Sequence, residues 1–541
     1  MQKAYLFNAG SYVRYDIPSD KVDGGPTPLN TNSWEGFPLD WTKVDAALNL
    51  GNGKIYMFNG GFYIRFDILN DKVDQGMKPI APNWEGFPPQ WGKIDAAVNW
   101  GNGKVYMFNG EEYIRYDILQ DKVDQGIRPI KGNWHGFPDN WKKVDAVLNW
   151  GDDRVFMFNN DSYLRFSVFQ DKVDQEPRLI KGNWHGFPDD WDKIDDAVII
   201  DNTAEKMGFL IEHEIRTETV GFAYVIYDNK RLVKSGYKGF RAKPLTPYSI
   251  NTEMGIGSMT KSLTTMALLK CLRDNSIFDA ANKVNVDATI GMYLPKTWPQ
   301  GSNISTISFR QLLTHTSGIQ PGGDDYASLK GMIKAGVGTK KPYQYANPNF
   351  SLMRVLIPMI NGIQLSNDDG ADAQKVADAY KQYLQKNVFE PSGVHNADCR
   401  LNSAEYALLY GPPSDDSGAY SYDGDDDSTA FAGAGGWKLS ALEFAKVINT
   451  FFATERILPA DLRERMMSEA LGCYNDSDCV KATHNGAWDS NGKGYHNCYY
   501  VFNDGVQCVL MTNSTYHDNP MDPETVVQVA HAGTFGCCPK K

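Results

Sequence analysis

Tyr56-Met57-Phe58-Asn59, followed by Tyr63-Ile64-Arg65-Phe66-Asp67, decides the first part of the fold, because the pair of phrases recurs. The first phrase returns as Tyr106-Met107-Phe108-Asn109 and Phe156-Met157-Phe158-Asn159, and stands earlier as Tyr5-Leu6-Phe7-Asn8. From Phe7 to Phe58, Phe108 and Phe158 the steps are 51, 50 and 50 residues. The second phrase recurs at Tyr12 to Asp16, Tyr113 to Asp117 and Tyr163 to Ser167. Asp-Lys-Val-Asp follows at Asp20, Asp71, Asp121 and Asp171, then Trp-x-Gly-Phe-Pro at Trp34, Trp84, Trp134 and Trp184. Each unit closes with an Asp-Ala-like pair opening at Asp45, Asp95, Asp145 or Asp195. Short alternating aromatic strands with Gly and Asn turns, repeated at about fifty residues, are the pattern of β-propeller blades. Four copies predict an all-β four-bladed β-propeller over residues 1–200. The chain starts without an Asp-Ala strand, and Asp195-Asp196-Ala197-Val198 follows the fourth copy, so the end is expected to complete the first blade.

Past Ala204 the pattern changes. Met207 to Thr217 reads as helix, and Gly221 to Asp228 with Arg231 to Gly236 as a hairpin turning at Asn229. Ser262 to Arg273 is an apolar helix, strands return at Gly494–Phe502 and Val506–Thr512, and a helix is expected over Pro523–His531. Strands at both ends around central helices predict a second domain over residues 204–541, an α/β (α+β) sandwich of helices on an antiparallel sheet.

At 541 residues two domains are the prior, and 42% hydrophobic with 22% charged residues is an ordinary globular composition. A net charge of -12 argues against nucleic acid. No apolar run is long enough for a transmembrane helix, and Met1 to Tyr5 leads into a strand pattern without the apolar core of a signal peptide. The eight cysteines all fall from Cys271 onward, with Cys473 and Cys479 spaced to close a small loop. Buried thiols explain the distribution equally well, so secretion and a cytoplasmic location both remain open. Cys537-Cys538 lacks metal-ligand spacing.

The chemistry is concentrated in Gly257-Ser258-Met259-Thr260-Lys261-Ser262. A spacing of three on a helix puts Ser258 and Lys261 on one face. Serine needs a neighbour to take its proton, and a desolvated lysine can do so. The helix N-terminus adds N–H groups that favour an oxyanion. Ser-x-x-Lys alone also describes a cap followed by a surface lysine. Here it is followed in order by Leu312-Leu313-Thr314-His315-Thr316-Ser317-Gly318, Tyr343-Gln344-Tyr345-Ala346-Asn347, Gly435-Gly436-Trp437 and His484-Asn485-Gly486.

That ordered set resembles the class C β-lactamases and the related penicillin-binding-protein-like serine hydrolases, over about residues 205–535. The resemblance implies that Ser258 forms an acyl-enzyme, that Lys261 and Tyr345 share the proton, and that Asn347 holds a substrate amide or orients Lys261. It also implies that the strand at His484, Asn485 and Gly486 lines the opposite wall, and that the backbone N–H groups of Ser258 and Ala487 make the oxyanion hole. Tyr345 as base requires a lowered phenol pKa, which Lys261 could supply. His315 reads as structural, no cofactor is required, and no class A deacylating glutamate is expected. Where many β-lactamases carry Lys-Thr-Gly this chain has His484-Asn485-Gly486; His at this position occurs in esterase- and peptidase-like members, which points away from penicillin hydrolysis. The expected substrate is a small-molecule or peptide-like ester or amide, with water or another acceptor taking the acyl group.

The four repeats resemble hemopexin repeats. That implies a central channel near Asp45, Asp95, Asp145 and Asp195 able to hold Ca or Na, against the plain alternative that these aspartates cap strands. It also implies a binding or scaffold module, through which a protein partner or a second copy could dock. His135 and His185 replace Glu35 and Glu85 of the earlier copies, which reads as a surface position and not a haem ligand. The acidic stretch with Asp415, Asp416, Asp423 and Asp425 to Asp427 reads as a solvated loop. A non-catalytic binding protein with a retired hydrolase domain is the rival reading, and a haem or metal carrier a third.

Overall fold

The computed structural model describes the chain except residues 1–2, 18, 101–103, 119, 152–153, 169, 201, 216–217, 229, 367, 402–404, 414–418, 420–426, 476–477, 516–521 and 536–541. The chain divides into two compact units, Met1–Phe209 with Asp228–Ser235, and Leu210–Tyr227 with Gly236–Lys541.

The first unit contains four antiparallel four-stranded sheets. One is Ala46–Asn49, Lys54–Asn59, Phe62–Asp67 and Lys72–Pro79, and the next two repeat it fifty residues on. The remaining sheet takes its strands from both ends of the repeats. Asp196–Ile200 pairs with Lys3–Asn8, Ile200 opposite Lys3 and Asp196 opposite Phe7, and Ser11–Asp16 and Lys21–Pro28 complete it. The Trp of each Trp-x-Gly-Phe-Pro is a wedge between successive sheets. Trp84 packs on Tyr56, Phe58 and Tyr63 of its own repeat and, at 5.0 Å between ring centroids, on Tyr116 of the next. Trp184 does the same with Phe156, Phe158, Tyr163 and Tyr15. Edge-on aromatic packing of this kind adds to the apolar area buried.

The loop after each Trp rests on the next outer strand. Gly136 has φ +79°, and a Cβ there would lie 3.1 Å from Cβ of Val173. The Val173 N–H donates to His135 O at 2.8 Å, and the same bond joins Val73 to Glu35, Val123 to Glu85 and Val22 to His185. Only the backbone of the Glu/His position is used in that bond, and the His135 and His185 side chains are exposed. This is why the position tolerates either residue.

Asp45, Asp95, Asp145 and Asp195 line one small opening together with Lys43, Lys93, Lys143 and Lys193. One carboxylate oxygen of each accepts the N–H of Gly60, Gly110, Asn160 or Ala9, and the other pairs with its lysine. Four ammonium groups balance four carboxylates, and every oxygen has a partner. The four carboxylates are thus engaged by the chain itself, and the described residues hold no cluster of three His, Cys, Asp or Glu placed for a metal. Asp196 stands where the other repeats have Ala46, Ala96 and Ala146. Its carboxyl is fully buried, with no hydrogen-bond partner of normal geometry for either oxygen. Burial pushes its pKa well above the carboxylate range, with only the Ala197 and Ala47 amides acting against this.

The second unit is an α/β assembly on a six-stranded sheet, in the order Thr246–Pro247, Arg231–Ala242, Gly221–Asp228, Val506–Thr512, Lys493–Phe502, Val480–Ser490. The last three strands run antiparallel, each to the next, across the sheet. Helices run over Asn202–Ile215, Thr260–Asp274 and Pro523–Phe535, close to the spans expected from sequence. Thr260–Asp274 is buried on almost every side, including Thr264 and Thr265, so its apolar reading reflects a central helix and not a surface one. Cys271, Cys399, Cys498 and Cys508 are buried thiols. Asn229, Asp415, Asp416, Asp423, Asp425, Asp426, Cys537 and Cys538 lie outside the described residues. Asp427 accepts hydrogen bonds from Arg400 and Thr429. No helix among the described residues is long and apolar enough to cross a membrane.

Candidate active site

Ser258 sits in a single 3-10 turn, Gly257–Met259, that feeds directly into the central helix. Lys261 follows one turn later and is fully buried. Its Nζ is 2.9 Å from Ser258 Oγ, 2.9 Å from Asn347 Oδ1 and 2.9 Å from the carbonyl oxygen of Ala434. The Tyr345 hydroxyl donates to Ser258 Oγ at 2.7 Å. The structure thus brings Ser258, Lys261, Tyr345 and Asn347 together as the sequence predicted.

Burial pulls the Lys261 pKa down to about 7, and only the Asp324 charge acts to raise it. A neutral amine has two N–H groups and one lone pair. Asn347 Oδ1 and Ala434 O are acceptors and claim the two N–H groups, so the lone pair is left facing the Ser258 hydroxyl. Tyr345 moves the other way from what the sequence reading required. Burial raises its phenol pKa, and Ser258 pulls it down less. In the resting site it is therefore a protonated donor.

Tyr345 is held by His315. The Gln344 N–H donates to His315 O at 2.8 Å, the Ala346 N–H donates to His315 Nδ1 at 3.2 Å, and the two rings lie 4.4 Å apart. Burial and the Lys261 charge lower the His315 pKa to about 4, so the imidazole stays neutral and can accept at Nδ1. Its contacts are with the backbone and ring of the Tyr345 segment. Asn347 leads the short helix Pro348–Ser351, where Phe350 faces Lys261 at 5.7 Å from Nζ to ring centroid.

On the opposite side, the strand Val480–Ser490 comes up against the serine turn at Gly486. A Cβ on Gly486 would lie 2.0 Å from Ile256 O and 3.2 Å from Ser258 N, and one on Gly257 3.2 Å from Ala487 N. Only glycine permits this approach, which places the two amides beside each other. Asn485 and Ala487 are exposed along this strand. His484 is buried, its ring 4.9 Å from Tyr474, and its Nδ1 donates to Asn485 O at 2.6 Å. Burial, then the Lys261 charge, lower its pKa to about 3.

Three contributors escaped the sequence reading. The Ala434 carbonyl is one, although its place just before Gly435-Gly436 was a usable signal. Phe350, three residues after Asn347, is another. Asp324 left no signal at all; its half-buried carboxylate accepts from Ser351 Oγ at 2.7 Å.

The Beta-lactamase family profile matches residues 200–531, and the Hemopexin profile matches residues 44–89, 94–139 and 144–189. The chain belongs to the β-lactamase family, with hemopexin repeats ahead of that family's domain. PbpX of Bacillus subtilis (strain 168), by name a penicillin-binding protein, is 24% identical over 185 residues, 33% of this chain and 40% of that protein. The match therefore spans less than half of PbpX. D-amino acid amidase from Ochrobactrum anthropi SV3 is similar in structure, at 15% identity and a TM-score of 0.48, covering 62% of this chain and 99% of the amidase. A β-lactamase/D-alanine carboxypeptidase from Yersinia pestis gives 17% identity and a TM-score of 0.46, covering 62% and 97%.

Proposed function

We propose that this protein is a serine acyl-transfer enzyme acting on an ester or amide, with Ser258 as nucleophile. The observation that carries the reading is the buried Lys261, whose two N–H groups are committed to acceptors while its lone pair faces Ser258 Oγ. Ser258 Oγ adds to the substrate carbonyl as its proton passes to Lys261. The developing oxyanion is met by the N–H groups of Ser258 and Ala487. The C–O or C–N bond breaks, and the leaving atom takes the Tyr345 phenolic proton, giving the acyl-enzyme, a phenolate and an ammonium side by side. In the second half the phenolate takes a proton from water or another acceptor, which attacks the acyl carbonyl. The departing Ser258 Oγ recovers its proton from Lys261, and the site is restored. A raised phenol pKa suits donation first, and the neighbouring Lys261 cation then supports the phenolate as base.

Residues 204–541 form the catalytic domain on this reading, and residues 1–200 a closed four-bladed propeller serving as binding or scaffold module. Closure is supported by the pairing of Asp196–Ile200 with Lys3–Asn8, and by the Val22-to-His185 bond that repeats the other three. Intact mass after incubation with a fluorophosphonate tests the nucleophile. Wild type is expected to gain one adduct and Ser258→Ala none. An unlabelled, folded wild type would remove the acyl-transfer reading.

A further inference from the structure

A cavity of about 150 Å³ lies behind the catalytic tyrosine, lined in part by Leu313, His315, Tyr343, Phe350, Tyr474 and His484. Two of these are shared with the catalytic cluster. His315 packs its ring on Tyr345, and Phe350 packs on Lys261. A third, His484, is two residues from the Gly486 that abuts Ser258 N. Tyr343, two residues from Tyr345, is largely exposed and forms the rim. The cavity therefore borders the residues that pack on the Tyr345 ring and on Lys261.

We propose that this cavity is the leaving-group subsite, and that it selects esters and amides whose leaving group is uncharged and apolar, an aryl or short alkyl group, against those that carry a free carboxylate. The inference rests on the acyl-transfer reading and narrows its substrate class. The direction follows from the chemistry: the group that takes the Tyr345 proton departs past Tyr345. The polarity follows from the lining. No Lys, Arg, Asp or Glu is among the described residues lining the cavity. Its two imidazoles are neutral at physiological pH, held there chiefly by burial. Lys261 offers no substitute cation, because in its reactive neutral form both N–H groups are bound to Asn347 and Ala434. A carboxylate entering this space would shed water and find no cation, which costs more than burying an aryl ring gains. The rings of His484 and Tyr474, tilted at 41° to one another, instead offer aromatic surface for a planar group to pack on.

The test compares two esters of one short acyl group, the phenyl ester and the 4-carboxyphenyl ester, at pH 8, each rate divided by its rate of hydroxide hydrolysis. The phenyl ester is expected to lead in kcat/KM by on the order of 30-fold. His484→Lys, and separately Tyr474→Arg from the facing wall, bring a cation to the cavity and are expected to cut that ratio by about tenfold. Fluorophosphonate labelling of Ser258 is measured on the same samples. Wild type that labels at Ser258 and handles both esters alike overturns the subsite alone. Wild type that neither labels nor cleaves either ester overturns the acyl-transfer reading, and the subsite with it.

Discussion

A buried amine surrounded by two acceptors and one hydroxyl can bond all three whether charged or not, but only the uncharged form keeps a lone pair for the hydroxyl proton. Protonation would give Lys261 a third N–H, which would donate to Ser258 Oγ and leave the serine without a base. Because the pKa is lowered to about 7, the reactive form is the one present above that pH. The acylation rate constant kcat/KM is therefore expected to climb about tenfold per pH unit below pH 7 and to level off above it. A pH profile on any turned-over ester checks this, and a profile flat down to pH 5 contradicts it. At this scale the sequence was legible for the residue types but not for their states. Ser258, Lys261, Tyr345 and Asn347 were found from spacing and motif order. The direction of the Tyr345 shift was not, because it depends on burial, and burial is decided by segments far away in the chain.

Between the serine turn and the strand Val480–Ser490 the contact is backbone to backbone. The space at Gly486 is smaller than a methyl group, since a Cβ would sit 2.0 Å from Ile256 O, and no flexible side chain can give way. Gly486→Ala is expected to push the strand away from Ser258, widen the oxyanion site and lower kcat by about 100-fold or more. The variant should stay folded by circular dichroism, and wild-type kcat would rule the contact out as a catalytic device. Element boundaries were readable where periodicity is strong, as in the repeats and in Thr260–Asp274. The Asp-Ala positions show the limit. Sequence identified the four aspartates as a set, yet their carboxylates are taken by lysines two residues earlier and by N–H groups fifteen residues later in three copies and at Ala9 for Asp195. A repeat reports that a residue is needed in every copy, and says nothing of what occupies it.

For the whole molecule, Asp196 is a local fault carried inside a regular structure. Its folded-state pKa is raised, so the folded chain keeps the proton where the unfolded chain releases it. That contribution is favourable below the ordinary aspartate pKa of about 4 and is lost as pH rises through it and beyond. Asp196→Ala restores the residue found in the other repeats, and is expected to stabilise the four sheets by about 1–3 kcal/mol at pH 7.5 and by less at pH 4. Thermal unfolding followed by tryptophan fluorescence at the two pH values measures the difference, and equal midpoints for variant and wild type would contradict it. The sheet containing Asp196 also imposes a timetable. Lys3–Asn8 leaves the ribosome nearly two hundred residues before Asp196–Ile200, a wait on the order of ten seconds or more at ordinary elongation rates. Until then the hairpin of Lys3–Asn8 and Ser11–Asp16 carries a bare strand edge open to any neighbour, and of the four sheets this one is the last to be sealed.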